Sequence, residues 1–179
     1  RIAGRRGAAT CEFLGRRLLE LVEAAGHRLP GPTEHPEAIL LLEVEGDGEE
    51  VADASGAMRD DALKVGLRSL EATTPGEMAR LWGLRHQASP LIQAMTQRGL
   101  RSIQVIEDSV VPPARLPAYL EGVRGILSSR EMDHVTFGHA GDGNAHVNLL
   151  VDLSAPRTLS NLREILVETT TLVRSLGGT

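Results

Sequence analysis

Apolar residues recur at helical spacing in several stretches of the 179-residue chain and at strand spacing in others. Leu14, Leu18, Leu21, Val22 and Ala25 share one helical face, so Glu12 to Ala25 is predicted as an amphipathic helix stopped by Gly26. A loop with Pro30, Pro32 and Pro36 leads to Ala38–Glu45, predicted as a well-buried strand ended by Gly46-Asp47-Gly48. That turn, followed by Glu49 and Glu50, reads as a solvated entry into a helix from Glu49 to about Val65. Leu67–Thr73 is a weaker strand. Thr74-Pro75-Gly76-Glu77 fits a capping box, with Thr at the N-cap, Pro at the first helical position and Glu at the third. The helix it opens carries Met78, Leu81, Trp82 and Ala88 on one side. Ser102–Val111 reads as a strand, with Glu107 and Asp108 near its middle. Pro112-Pro113 then open a helix through Leu116, Tyr119, Leu120, Val123 and Leu127. The arms His134–His139 and Ala145–Leu153 form a hairpin, after which Ser154 is expected to cap a final helix through Leu159, Leu162, Leu166, Val173 and Leu176. Two adjacent strands in a hairpin exclude an all-parallel sheet, so the pattern favours an α+β sandwich over a Rossmann fold.

Composition narrows the function class. The net charge of −5 and four aromatic residues (Phe13, Trp82, Tyr119, Phe137) argue against a nucleic-acid surface, which needs basic stripes and stacking rings. Arg1, Arg5 and Arg6 make only a small basic start. A single cysteine, Cys11, rules out an internal disulfide and fits a reducing compartment, so a cytoplasmic location is expected. No apolar run approaches the roughly 20 residues of a membrane span, and no signal peptide is evident.

Candidate chemistry gathers in Phe137–Asn148, FGHAGDGNAHVN. With Asp142-Gly143 at the centre of a type I′ turn, His139 directly faces His146, and Phe137 and Asn148 share their face. Opposed imidazoles suit a shared metal ion, with further ligands from elsewhere. The turn residues Gly141, Gly143 and Asn144 are candidates for contact with a cofactor, since glycines let a ligand approach the backbone. Arg85 falls seven residues after Met78, four after Leu81 and three after Trp82, on the apolar face. A buried guanidinium needs an anionic partner: a structural carboxylate or a substrate carboxylate held by its planar fork. Ser89 lies one turn further on.

These residues carry a resemblance. FGHAGDGNAHVN, with LWGLRHQASP at Leu81–Pro90 and IEDSVVPPARLPAYL at Ile106–Leu120, resembles the C-terminal domain of FAD-linked oxidases. That family includes D-lactate dehydrogenases, glycolate oxidase flavoprotein subunits and D-2-hydroxyglutarate dehydrogenases. Glu12–Glu45 agrees more loosely. The resemblance implies a ferredoxin-like α+β substrate (cap) domain over a flavin carried by a separate N-terminal domain. It implies a divalent metal, often zinc, on His139 and His146, with substrate contacts from Arg85 (carboxylate), Ser89 and Asn148. A third ligand, a glutamate followed by a histidine base, is expected just beyond Leu176–Thr179. The chain then reads as part of a longer enzyme that oxidises a D-2-hydroxy acid of D-lactate or glycolate type. The isolated part is expected to be inactive, and uncovered apolar surface gives it a route to self-association. A lysine that some relatives carry near Ile106 is missing, which disfavours a dicarboxylate substrate.

Two other readings compete. A non-catalytic ferredoxin-like module binding a ligand or partner predicts Arg85 paired with an internal carboxylate such as Glu107 or Asp108. A metal hydrolase using His139, His146 and Asp142 ranks last, because Asp142 at a turn centre points away from opposed histidines.

Overall fold

A computed structural model describes residues 7–31, 36–96, 99–104, 106 and 108–179. Arg1, Arg5, Arg6, Pro32 and Glu107, all weighed above, lie outside these residues. The architecture is α+β. Strands β1 (Thr10–Gly15), β2 (Ala38–Glu43), β3 (Arg101–Ile103), β5 (Asp133–His139) and β6 (Asn144–Val151) form a sheet in the order β2-β1-β5-β6-β3. The two-residue β4 (Ser109–Val110) also pairs with β6, and every pairing is antiparallel. No helix among the described residues is long and apolar enough to cross a membrane.

The sheet separates two cores. On one face Ala145, Val147, Leu149 and Val151 of β6 meet α5 (Leu116–Ser128) and α6 (Thr158–Ser175) through Leu116, Tyr119, Val123, Leu127, Leu162, Ile165 and Val173. On the other, Leu14, Leu41, Val135, Phe137 and Leu150 meet α1 (Arg16–Ala24), α3 (Pro75–His86) and α4 (Ala88–Thr96) through Leu18, Leu19, Val22, Leu84, Ala88 and Ile92. Period-two alternation along β6 assigns its even residues to this second face, with His146 and Asn148 among them. Helix α2 (Gly48–Lys64) buries only Met58 and lies apart from both cores.

Several expectations change. Glu12–Gly15 is not helical: it belongs to β1, between β2 and β5, and the helix starts at Arg16. Two pairing neighbours outweigh weak local helical preference there. Strand β2 is a sheet edge rather than a buried strand, with Leu41 buried and Leu40 54% exposed. Leu67–Thr73 forms no strand, and Leu67 and Leu70 are exposed. Instead of one strand over Ser102–Val111, the described residues show two short ones, β3 and β4. Ser154 caps no helix. Its backbone N–H and hydroxyl both donate to Asp152, while Arg157, in the left-handed region at φ 69°, precedes α6. The Thr74 capping box and the Asp47 entry into α2 form as expected, with Glu50 N–H donating to Asp47.

Candidate active site

The hairpin loop differs from the expected two-residue turn. Residues 140–143 connect β5 to β6, with Asp142 N–H donating to His139 O at 3.0 Å and Gly143 N–H to Ala140 O at 3.3 Å. The register therefore pairs Phe137, not His139, with His146, and Val135 with Asn148. Two tethers hold this loop: Gly141 N–H donates to Cys11 O, and Gly143 O accepts from Val111 N–H. Gly143 has φ +71°, and a Cβ there would lie 1.8 Å from the Val111 carbonyl oxygen. The glycine is thus required by the chain's own close packing. Asn144 Oδ1 is buried without a hydrogen-bond partner among the described residues.

The register slips by two residues, which leaves every side chain on its original face. His139 and His146 still converge: their ring centroids are 5.5 Å apart, at an interplanar angle of 83°. The His139 cross-strand partner is instead Glu12 of β1. The Glu12 carboxylate, only 7% exposed, holds His139 Nδ1 through Oε1 and accepts from Arg85 Nε through Oε2 at 2.7 Å. The Arg85 guanidinium also stacks over Phe137, 4.6 Å from its ring centre, and Phe137 lies 5.2 Å from the His146 ring. This chain of contacts joins β1, α3, β5 and β6.

Strand β3 pairs with Leu149, Leu150 and Val151 of β6 and β4 with Asn144 and Ala145, on either side of His146 and Asn148. Asn148 Oδ1 accepts from Ser102 Oγ at 3.3 Å and Gln104 Nε2 at 3.2 Å. Asp108, left-handed at φ 59°, places Oδ1 3.4 Å from His146 Nδ1, long for a hydrogen bond. A cavity of about 520 Å³ opens here. Arg85, Ser89, Phe137, His146 and Asn148 line it, with Gln93 and Gln104 on the polar side.

Four of the expected residues, Arg85, Ser89, His146 and Asn148, thus share one cavity, and the His139 ring packs against that of His146 beside it. Gly141 and Gly143 sit in the loop, packed against Cys11 and Val111, and Asn144 opens β6 paired with Val110. Asp142 is in the loop but makes no cluster with the histidines, since the described residues contain no group of three His, Cys, Asp or Glu placed to hold a metal. Sequence reasoning misses Glu12, which falls in the predicted helix; an acid between Cys11 and Phe13 is the available sign of a strand. The competing module reading expected Arg85 to have an internal carboxylate. It has one, but it is Glu12; Asp108 lies at His146, and Glu107 is outside the described residues. The Cys11 thiol is pushed up by burial, with Glu12 and Asp142 adding to the effect, so it is a poor nucleophile.

Arg85, His146 and Asn148 of this antiparallel α+β domain thus line one cleft, with His139 packed beside it. The family model for FAD linked oxidases, C-terminal domain, matches residues 1–179, and the chain belongs to that family. It is 28% identical over 130 residues to glycolate oxidase subunit GlcD of Escherichia coli (strain K12), covering 72% of this chain and 25% of that protein. It is 29% identical over 170 residues to D-lactate dehydrogenase of Archaeoglobus fulgidus, covering 93% and 34%. With D-2-hydroxyglutarate dehydrogenase of Xanthomonas citri pv. viticola the identity is 30% over 143 residues, covering 78% and 29%. The chain spans a quarter to about a third of the length of these curated relatives.

Proposed function

We propose that this chain is the substrate-binding part of an FAD-dependent D-2-hydroxyacid dehydrogenase or oxidase of D-lactate or glycolate type. The convergence of Arg85, Ser89, His146 and Asn148 on one cavity carries the reading. Glu12 occupies Arg85 Nε, which leaves the terminal nitrogens as donors for a substrate carboxylate. Ser89 and Asn148 supply a hydroxyl and an amide to orient the remaining oxygens, and Phe137 closes the apolar side.

The donor set fits two ligands of a divalent metal such as zinc. Glu12 engages Nδ1 of His139, and Asp108 lies 3.4 Å from Nδ1 of His146, so Nε2 of each ring would be the atom to hold such an ion. Such an ion, when bound, would supply Lewis acidity that lowers the pKa of a coordinated hydroxyl. Two protein ligands alone hold it weakly, and the described residues complete no set of three, so further ligands would be needed. The flavin is assigned to the part of the relatives' length that this chain does not cover, where it would accept the hydride.

The module reading draws support from the Arg85–Glu12 pair, and one experiment separates the two. The whole protein carrying this segment is mixed anaerobically with D-lactate or glycolate, and the oxidised-flavin absorbance is followed. Bleaching is expected, with a loss of at least tenfold in rate for Arg85→Met and for His146→Ala. Bleaching at the unaltered rate in both variants rejects the catalytic assignment of the pocket, and absence of any flavin response favours the module.

A further inference from the structure

Glu12 is buried and has both oxygens committed, one to a guanidinium from α3 and one to an imidazole from β5. These partners are 73 and 127 residues away in sequence, so the carboxylate ties together two parts of the cleft that no local element connects. Burial of a carboxylate is costly unless it is paired and hydrogen-bonded. The positive charge of Arg85 meets that need, so His139 can serve Glu12 as a neutral Nδ1–H donor. An imidazole that donates from Nδ1 carries its lone pair on Nε2.

We propose that Glu12 is a positioning residue, a single carboxylate that fixes the Arg85 guanidinium and the His139 tautomer together. It sets His139 Nε2 free as a ligand while it aims Arg85 at an incoming carboxylate. The tautomer part rests on the geometry alone; the ligand part rests on the reading given under Proposed function.

The proposal makes an unusual demand of the isosteric variant Glu12→Gln. Arg85 Nε–H can only donate, so the glutamine oxygen must face Arg85 and its amide NH₂ must face His139. His139 then has to accept at Nδ1 and carry its proton on Nε2, the wrong atom for a ligand there. Filling the same volume thus inverts the tautomer, whereas a purely structural role for Glu12 makes no such distinction.

The test is a long-range ¹H–¹⁵N spectrum of the labelled chain at about pH 8.5, above the ordinary imidazole pKa of roughly 6.5, with the His139 signals identified from their loss in His139→Gln. The native chain is expected to show the His139 proton on Nδ1, and Glu12→Gln to show it on Nε2. A native His139 with its proton on Nε2 overturns the proposal without reference to any variant, which covers the case of a Glu12→Gln chain that fails to fold. A folded Glu12→Gln chain that keeps the Nδ1 proton overturns it too. Zinc titration adds a second readout: Glu12→Gln is expected to bind about 10–100-fold more weakly than the native chain, with Glu12→Asp recovering part of the loss. Equal affinity in native and Glu12→Gln chains contradicts the positioning role. If the native chain binds no zinc but shows the Nδ1 tautomer, the positioning of His139 stands and the metal reading falls.

Discussion

The two faces of the sheet are built from the same strands and differ in what they bury. Behind β6, towards α5 and α6, the odd-numbered Ala145, Val147, Leu149 and Val151 close a dry core. On the opposite side the even-numbered His146 and Asn148 stand among Phe137, Arg85 and Glu12, with apolar packing resuming at Leu150. Stability on the first face comes from area removed from water, which tolerates any apolar shape that fills it. On the second, each polar group needs a particular partner, and Glu12 and Asn148 are satisfied by residues distant in sequence. An apolar face and a polar, cavity-lining face therefore share one strand in alternation.

Substitutions can break this comparison. The largest stability effect is expected from Leu149→Ala on the dry face: the side chain is fully buried, and its truncation costs about 2–5 kcal/mol. Urea unfolding checks the value, and the folded fraction should keep its zinc affinity. Gly143→Ala comes next, since the left-handed backbone alone costs about 1–3 kcal/mol and the new methyl meets the Val111 carbonyl. This change should also loosen the His139–His146 pair, and so lower metal affinity as well as unfolding midpoint. Asn148→Ala is expected to cost less stability, about 1–3 kcal/mol from the lost partner of Ser102 and Gln104. Its larger effect should be on hydroxy-acid binding, measured by calorimetry. A stability loss with unchanged binding would make Asn148 no different from a residue of the dry face.

The smallest effect lies outside both faces. Thr74→Ala removes the N-cap of α3 and should cost about 1 kcal/mol. The Glu77 carboxyl is held below its ordinary range by the Thr74 hydroxyl first, then by the Thr74 and Thr73 amides. A lowered folded-state pKa gives stability that is present above the ordinary carboxylate range and is lost as pH falls through the lowered value. The difference between native and Thr74→Ala chains should therefore narrow in acid, as thermal melts across that range would show.

What could be read from the sequence follows the same division. Local signals, such as the Thr74 box, the Asp47 entry to α2 and the apolar faces of α5 and α6, are satisfied within a few residues and were legible. The hairpin turn is not legible, because the tethers of Gly141 to Cys11 and Gly143 to Val111 are tertiary. The histidine pair survived the error because a two-residue slip preserves the face; a one-residue slip would have separated His139 from His146. That Arg85 requires an anion was legible from its place on an apolar face. That the anion is Glu12 was not, since the stretch from Glu12 to Ala25 has helical periodicity and only pairing with β2 and β5 draws its start into the sheet. Ser154 shows the reverse failure, a residue with capping chemistry that Asp152 engages first.

On the proposed reading, His139 and His146 act as one ligand pair on the polar face of the sheet. Zinc titration of the native chain, His139→Ala and His146→Ala tests it most directly. Each single substitution should weaken binding at least tenfold, and the double substitution should add little further loss. Affinity unchanged by either one would contradict a shared site.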